Sequence, residues 1–223
     1  MNRGALKSAF VVFAMLFFCN VQKADAQSEV FIDLSAGVGF PTQTERLTEQ
    51  WGHGLHVGGV LGLSRPGEGR FSYRLHFGYT NFTIDEDAIP PAVADQYDPD
   101  ELEDFIVDGE SSTNLSIGFQ TAFRLLADQR LISPYILSGF GLTKIDLGVV
   151  NAAPRQVDSI DDIPPSVEAE QKLSFGINAG LGVEVPTSEQ VALFAEGLYD
   201  RTLFLDEDYQ QFPIRGGIRV VFE

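Results

Sequence analysis

Three histidines, His53, His56 and His76, are the side chains of this chain best suited to proton transfer or metal binding near neutral pH. His53 and His56 straddle a loop-to-strand boundary, and His76 lies on the next extended segment. A metal centre needs a further ligand and fixed geometry, so the spacing predicts one loop histidine and two polar fillers. Ser72 and His76 share a strand face. Four residues of strand rise separate them by roughly 13 Å, too far for direct proton transfer. All three histidines fall in the first half of the chain, and no His-x-Ser pair is present. GFGLTK (139–144) has the glycines of a phosphate loop, but no helix pattern follows it. The expectation is a protein that is not an enzyme, with no cofactor and no metal centre.

Carboxylates are the most unusual feature. DEDAIPPAVADQYDPDELEDFIVDGE (85–110) has 11 acidic residues and no Lys or Arg, and Asp158, Asp161, Asp162, Glu168 and Glu170 follow. DPDELEDFIVDGE lacks the glycine and ligand spacing of an EF-hand. These segments read as a solvated, mutually repelling surface, with loose divalent-cation binding as the functional alternative. Pro90, Pro91, Pro164 and Pro165 predict extended loop segments rather than strands. The formal charge of −17 argues against nucleic-acid binding.

The elements that must position these residues show in the hydropathy. In LSFGINAGLGVEV (173–185), Leu173, Phe175, Ile177, Ala179, Leu181, Val183 and Val185 alternate with Ser174, Gly176, Asn178, Gly180, Gly182 and Glu184. A period of two is a β-strand with two unlike faces. Similar segments occupy 30–40, 54–63, 71–80, 114–125, 134–143, 191–204 and 212–222, making eight strands of about ten residues. Two of them are ambiguous. PYILSGFGLT (134–143) alternates poorly, with Ile136, Phe140 and Leu142 taken as its apolar face. In 191–204, Phe194 and Leu198 share a face with Glu196.

Residues 1–26 have the build of a cleaved export signal. Arg3 and Lys7 precede the apolar run Ala9 to Cys19, and Ala24-Asp25-Ala26 is a cleavage site. The expected mature domain is 27–223. It retains 12 basic and 31 acidic residues, a net charge of −19, and no cysteine.

Four features decide which solvent the apolar face meets. Ten residues at about 3.4 Å, tilted near 45°, project to about 24 Å, the height of an outer-membrane apolar band. The polar face holds Gly, Ser, Asn and Gln rather than the Lys and Glu of a solvent face, as suits a narrow interior. Phe40, Phe71, Tyr73, Tyr79, Phe123, Tyr199, Phe204 and Phe222 fall near strand ends, where membrane barrels carry aromatics. Short links (64–70, 127–130, 186–190) alternate with long ones (41–53, 85–112, 146–171), apart from a brief fourth around 206–208. These predict an all-β, eight-stranded antiparallel up-and-down transmembrane β-barrel with a polar lumen. Arg74, Arg124, Arg215 and Arg219 then require pairing inside with Asp33, Glu184 and Glu196, because each unpaired buried charge costs several kcal/mol.

VFIDLSAGVGF after the signal, SPYILSGFGLTK (133–144) and the last strand IRGGIRVVF together resemble the small eight-stranded outer-membrane barrels of OmpA/OmpX type in Gram-negative bacteria. The resemblance implies outer-membrane localisation with both termini periplasmic. It implies the barrel assembly machinery as a partner, reading Phe222 as an assembly signal, although Glu223 departs from the family's aromatic end. It also implies contact with outer-membrane lipid and lipopolysaccharide, to which divalent cations at the acidic loops would bridge. The expected function is envelope-structural or surface-interacting, in a monomer. The alternatives are a narrow passive channel and a secreted soluble barrel with an apolar, lipid-binding interior.

Overall fold

The computed structural model describes residues 29–42, 51–64, 70–85, 88–90, 93, 105–126, 132–154, 169–203 and 209–222. The export signal, most of the acidic links, Pro91, Pro164, Pro165, Phe204 and Glu223 lie outside the described residues.

Among the described residues there are ten strands: β1 (Glu29–Thr42), β2 (Trp51–Ser64), β3 (Phe71–Ile84), β4 (Phe105–Gly109), β5 (Ser112–Arg124), β6 (Ser133–Leu147), β7 (Val150–Pro154), β8 (Glu170–Pro186), β9 (Val191–Leu203) and β10 (Gln210–Phe222). Eight of them close an antiparallel barrel in the order β1-β10-β9-β8-β6-β5-β3-β2. The seam joins first to last, from Val30 opposite Phe222 to Thr42 opposite Gln210. Closure leaves no free edge among the eight, so every strand has hydrogen-bonding neighbours on both sides.

Glu29 and Phe222 therefore lie at one end of the barrel, together with the link between β8 and β9. That link is a tight turn in which the Thr187 and Ser188 amides both donate to the Val191 carbonyl (2.9 and 3.0 Å). We call this the turn end, and the opposite rim the loop end.

The barrel strands run 13 to 17 residues rather than ten. Even 13 residues project to about 31 Å, more than an outer-membrane apolar band needs. The excess lies at the loop end, where His53, Thr83 and Gln171 replace apolar residues at exposed positions.

Two strands fall where the sequence predicts only loop. β4 and β7 pair with each other, from Phe105 opposite Pro154 to Gly109 opposite Val150. They prolong the β5–β6 pair beyond the rim as a two-stranded ribbon. At the junction the chains approach so closely that a Cβ on Gly109 would lie 2.3 Å from the Val149 carbonyl oxygen, and one on Gly148 2.5 Å from that of Glu110. FIVDG and VNAAP are too short, and alternate too little, to announce strands. Pro90, expected in an extended solvated loop, is fully buried.

The alternation settles in one sense all round. Leu34 (68% exposed), Leu55 (65%), Leu173 (69%) and Leu181 (65%) point outward, while Asp33 and Arg74 (1% each) are sealed inside. Both ambiguous strands resolve. β6 sends Ile136 out and Tyr135 and Leu137 in, and β9 sends Leu193 and Tyr199 out and Phe194, Glu196 and Leu198 in.

Candidate functional site

The inward glycines make room for large inward side chains on neighbouring strands. A Cβ on Gly62 would meet the Phe31 ring at 2.0 Å, one on Gly182 the Tyr135 ring at 2.4 Å, and one on Gly180 or Gly217 would meet Leu198 or Phe194 at 2.7 Å. An eight-stranded interior admits side chains only if bulky and absent ones interlock. Glycine on the polar face is therefore a packing requirement of the lumen.

Within that packing, the turn-end half of the lumen holds four guanidiniums and three carboxylates in one connected network. Asp33 accepts from Arg219 through Nε (2.7 Å) and Nη2 (2.8 Å), and from Arg74 Nη2 (3.0 Å). Glu196 accepts from Arg215 through Nε (2.8 Å) and Nη2 (2.6 Å) and from the Tyr135 hydroxyl (2.8 Å). Arg74 Nη1 lies 2.7 Å from Glu196 Oε1, an ionic contact whose angle misses hydrogen-bond geometry. Glu184 accepts from Arg124 Nη2 (3.2 Å) and from Arg219 Nη1. The Arg219 guanidinium also stacks 4.0 Å from the centre of the Phe31 ring.

The structure thus brings Asp33, Arg74, Arg124, Glu184, Glu196, Arg215 and Arg219 together, and leaves Phe222 exposed at the end of β10. Every strand of the barrel except β2 and β6 contributes a charge, and β6 contributes Tyr135. Tyr135 and Phe31 belong to this site and were not singled out from sequence. Their signal was an aromatic in phase with the polar residues of its own strand.

Mainly uncharged polar groups, with the Asp200 carboxyl among them, fill the lumen nearer the loop end. His56 Nδ1 pairs with Thr80 Oγ1 (2.8 Å), and Gln120 Nε2 donates to Asn178 Oδ1 (3.2 Å). Asn114 Nδ2 donates to the Tyr209 hydroxyl (2.8 Å), that hydroxyl donates to Gln211 Oε1 (3.2 Å), and Gln211 Nε2 donates to Asp200 Oδ2 (3.0 Å). Burial pushes the Tyr209 phenol, just ahead of β10, far above its ordinary range, so it remains a donor. His53 is exposed at the loop end, whereas His56 and His76 are buried in the lumen. Among the described residues no three His, Cys, Asp or Glu side chains gather as a metal site.

No family model and no curated protein matches the chain. Solved structures do. A major outer membrane protein from Thermus thermophilus superposes with a TM-score of 0.57 over 86% of this chain and 99% of its own, at 12% identity. The fold is that of a small eight-stranded outer-membrane β-barrel. Neisserial surface protein A matches over 88% of this chain and 98% of its own (TM-score 0.49, 13% identity). The N-terminal β-barrel domain of Pseudomonas aeruginosa OprF covers the same shares (TM-score 0.44, 13% identity). At such identities the likeness is one of fold, so the lumen network has to be judged on its own geometry. That geometry is a plug: paired charges, an aromatic stacked on a guanidinium, and glycines filled by neighbouring side chains.

Proposed function

We propose that this chain is a non-catalytic protein of the Gram-negative outer membrane, inserted with its leucine-rich outer face against lipid and both termini in the periplasm. The observation that carries this reading is the inverted burial. Large apolar side chains ring the outside of a closed barrel whose interior holds the connected network of Asp33, Arg74, Arg124, Glu184, Glu196, Arg215 and Arg219. A water-soluble barrel has the opposite arrangement, and an interior with this many charges is no lipid-binding cavity. In a bilayer the outer leucines replace lipid contacts with no penalty, and the closed ladder leaves no barrel strand edge in hydrocarbon.

The role we assign is envelope-structural or surface-interacting, through the acidic segments at the loop end. Lipopolysaccharide bridged by divalent cations, and the assembly machinery acting on the last strand, are the partners this reading names. The paired charges across the lumen favour this over a passive channel, because ions would have to break buried guanidinium–carboxylate pairs to pass.

The test is a gel-mobility assay on outer-membrane fractions from cells expressing the chain. A folded membrane barrel migrates differently before and after boiling. Recovery of the mature chain as a monodisperse species in detergent-free buffer would overturn the proposal. In planar bilayers the folded protein is expected to be silent, and regular conductance steps would transfer the assignment to the channel.

A further inference from the structure

Above the charged plug the barrel mouth is closed a second time, by apolar packing. Trp51 of β2, Phe82 of β3, Ile145 and Leu147 of β6, Val107 and Val150 of the ribbon, and Tyr209 before β10 form one buried cluster. β5 separates β3 from β6 and β1 separates β2 from β10, so these side chains belong to non-adjacent strands and reach one another by leaning in over the loop-end mouth. The Trp51 indole N–H donates to the Glu110 carbonyl (3.0 Å), at the junction between ribbon and β5.

Directly beneath lies a polar cavity of about 20 Å³ lined by Asn114, Ser116, His76, Asn178, Gln211 and Tyr209 among others. Asn114 Oδ1 and His76 Nδ1 are buried there without a protein partner. Buried polar atoms of this kind are normally satisfied by water, and the space admits one.

We propose that the β4–β7 ribbon is a lid on this chamber, and that the chamber holds ordered water rather than exchanging freely with the loop-end medium. The ribbon is suited to this role. It joins the barrel through the two close glycine-lined approaches at Gly109 and Gly148, its two strands form a separate two-stranded sheet, and Val107, Val150 and Ala152 pack down into the apolar cluster. The inference goes beyond the proposed function and does not depend on it, since a lid over a polar chamber is the same device whether lipid or water surrounds the barrel.

The mature domain has no cysteine, so Ser116→Cys places a single thiol in the chamber wall. The folded variant is treated with a small cationic methanethiosulfonate reagent, and folding is checked independently by gel mobility without heating. The thiol is expected to react slowly with Trp51 present. With Trp51→Ala or Val107→Asp added it should react about tenfold faster or more, equivalent to at least ~1.4 kcal/mol off the opening free energy. Val107→Asp alters only the ribbon, so it decides the matter if Trp51→Ala fails to fold. Fast labelling with the cluster intact, or no acceleration in a folded ribbon variant, would overturn the lid. Crystallographic density for water within hydrogen-bonding distance of Asn114 Oδ1 is the expected second result, and a dry cavity would overturn the hydrated chamber.

Discussion

Glu196→Gln is the sharpest probe of the charged plug. The substitution preserves size, and an amide oxygen can still accept from the Tyr135 hydroxyl, so almost nothing is lost to packing. What changes is charge. Among the described residues Arg215 has Glu196 as its one carboxylate partner, held through Nε and Nη2, while Arg74 keeps Asp33 and Arg219 keeps both Asp33 and Glu184. The variant therefore leaves Arg215, 3% exposed, as an uncompensated guanidinium in the lumen. Removing one member of a buried pair costs about 3–5 kcal/mol, mostly the penalty of the charge left behind. The measurement is a urea titration of the folded barrel in detergent or vesicles, with the folded fraction read by mobility on unheated gels. The midpoint should fall by that free energy divided by the slope. Adding Arg215→Met removes the orphan, so the double variant should be more stable than Glu196→Gln alone by about 1 kcal/mol or more. A loss below about 1 kcal/mol for the single variant would refute the reasoning, because surface-like pairs are worth no more than that. So would simple additivity of the two substitutions.

Other outcomes follow from the same structure. Leu181→Arg, on the outer face, should destabilise the barrel in a bilayer by about 2–4 kcal/mol if it lies near the midplane. The same substitution on a water-facing surface would stay within about 0.5 kcal/mol, so urea titration in vesicles separates the two environments. Gly62→Ala should cost about 1–3 kcal/mol, because its methyl would sit 2.0 Å from the Phe31 ring that packs under Arg219; adding Phe31→Leu should recover part of that loss in the same titration. Trp51 is the chain's one tryptophan, so its fluorescence reports on the lid. It should resist quenching by iodide in the folded protein and become quenchable on Val107→Asp before the barrel itself unfolds.

Particular elements differ in how much of them was legible in the chain. LSFGINAGLGVEV and VFIDLSAGVGF displayed their two faces directly, because a strand's side chains alternate whatever the strand pairs with. The in-and-out sense was also legible, since glycine and amides on the polar face suit a crowded lumen and not bulk water. β6 and β9 were not legible. Leu137, Phe194 and Leu198 are apolar yet point inward, and only the register set by both neighbouring strands places each one against a glycine or another inward side chain.

The lid is a stronger case of the same limit. Nothing in FIVDG or VNAAP distinguishes them from loop, and their pairing exists because β5 and β6 happen to deliver them to the rim side by side. Sequence determined that this chain has strands, which face is greasy in all of the barrel strands but β6 and β9, and which seven charges need partners. Tertiary structure alone decided who pairs with whom. Partnership inside a barrel crosses the lumen between residues as far apart as Asp33 and Arg219, and no local pattern carries the register that brings them together.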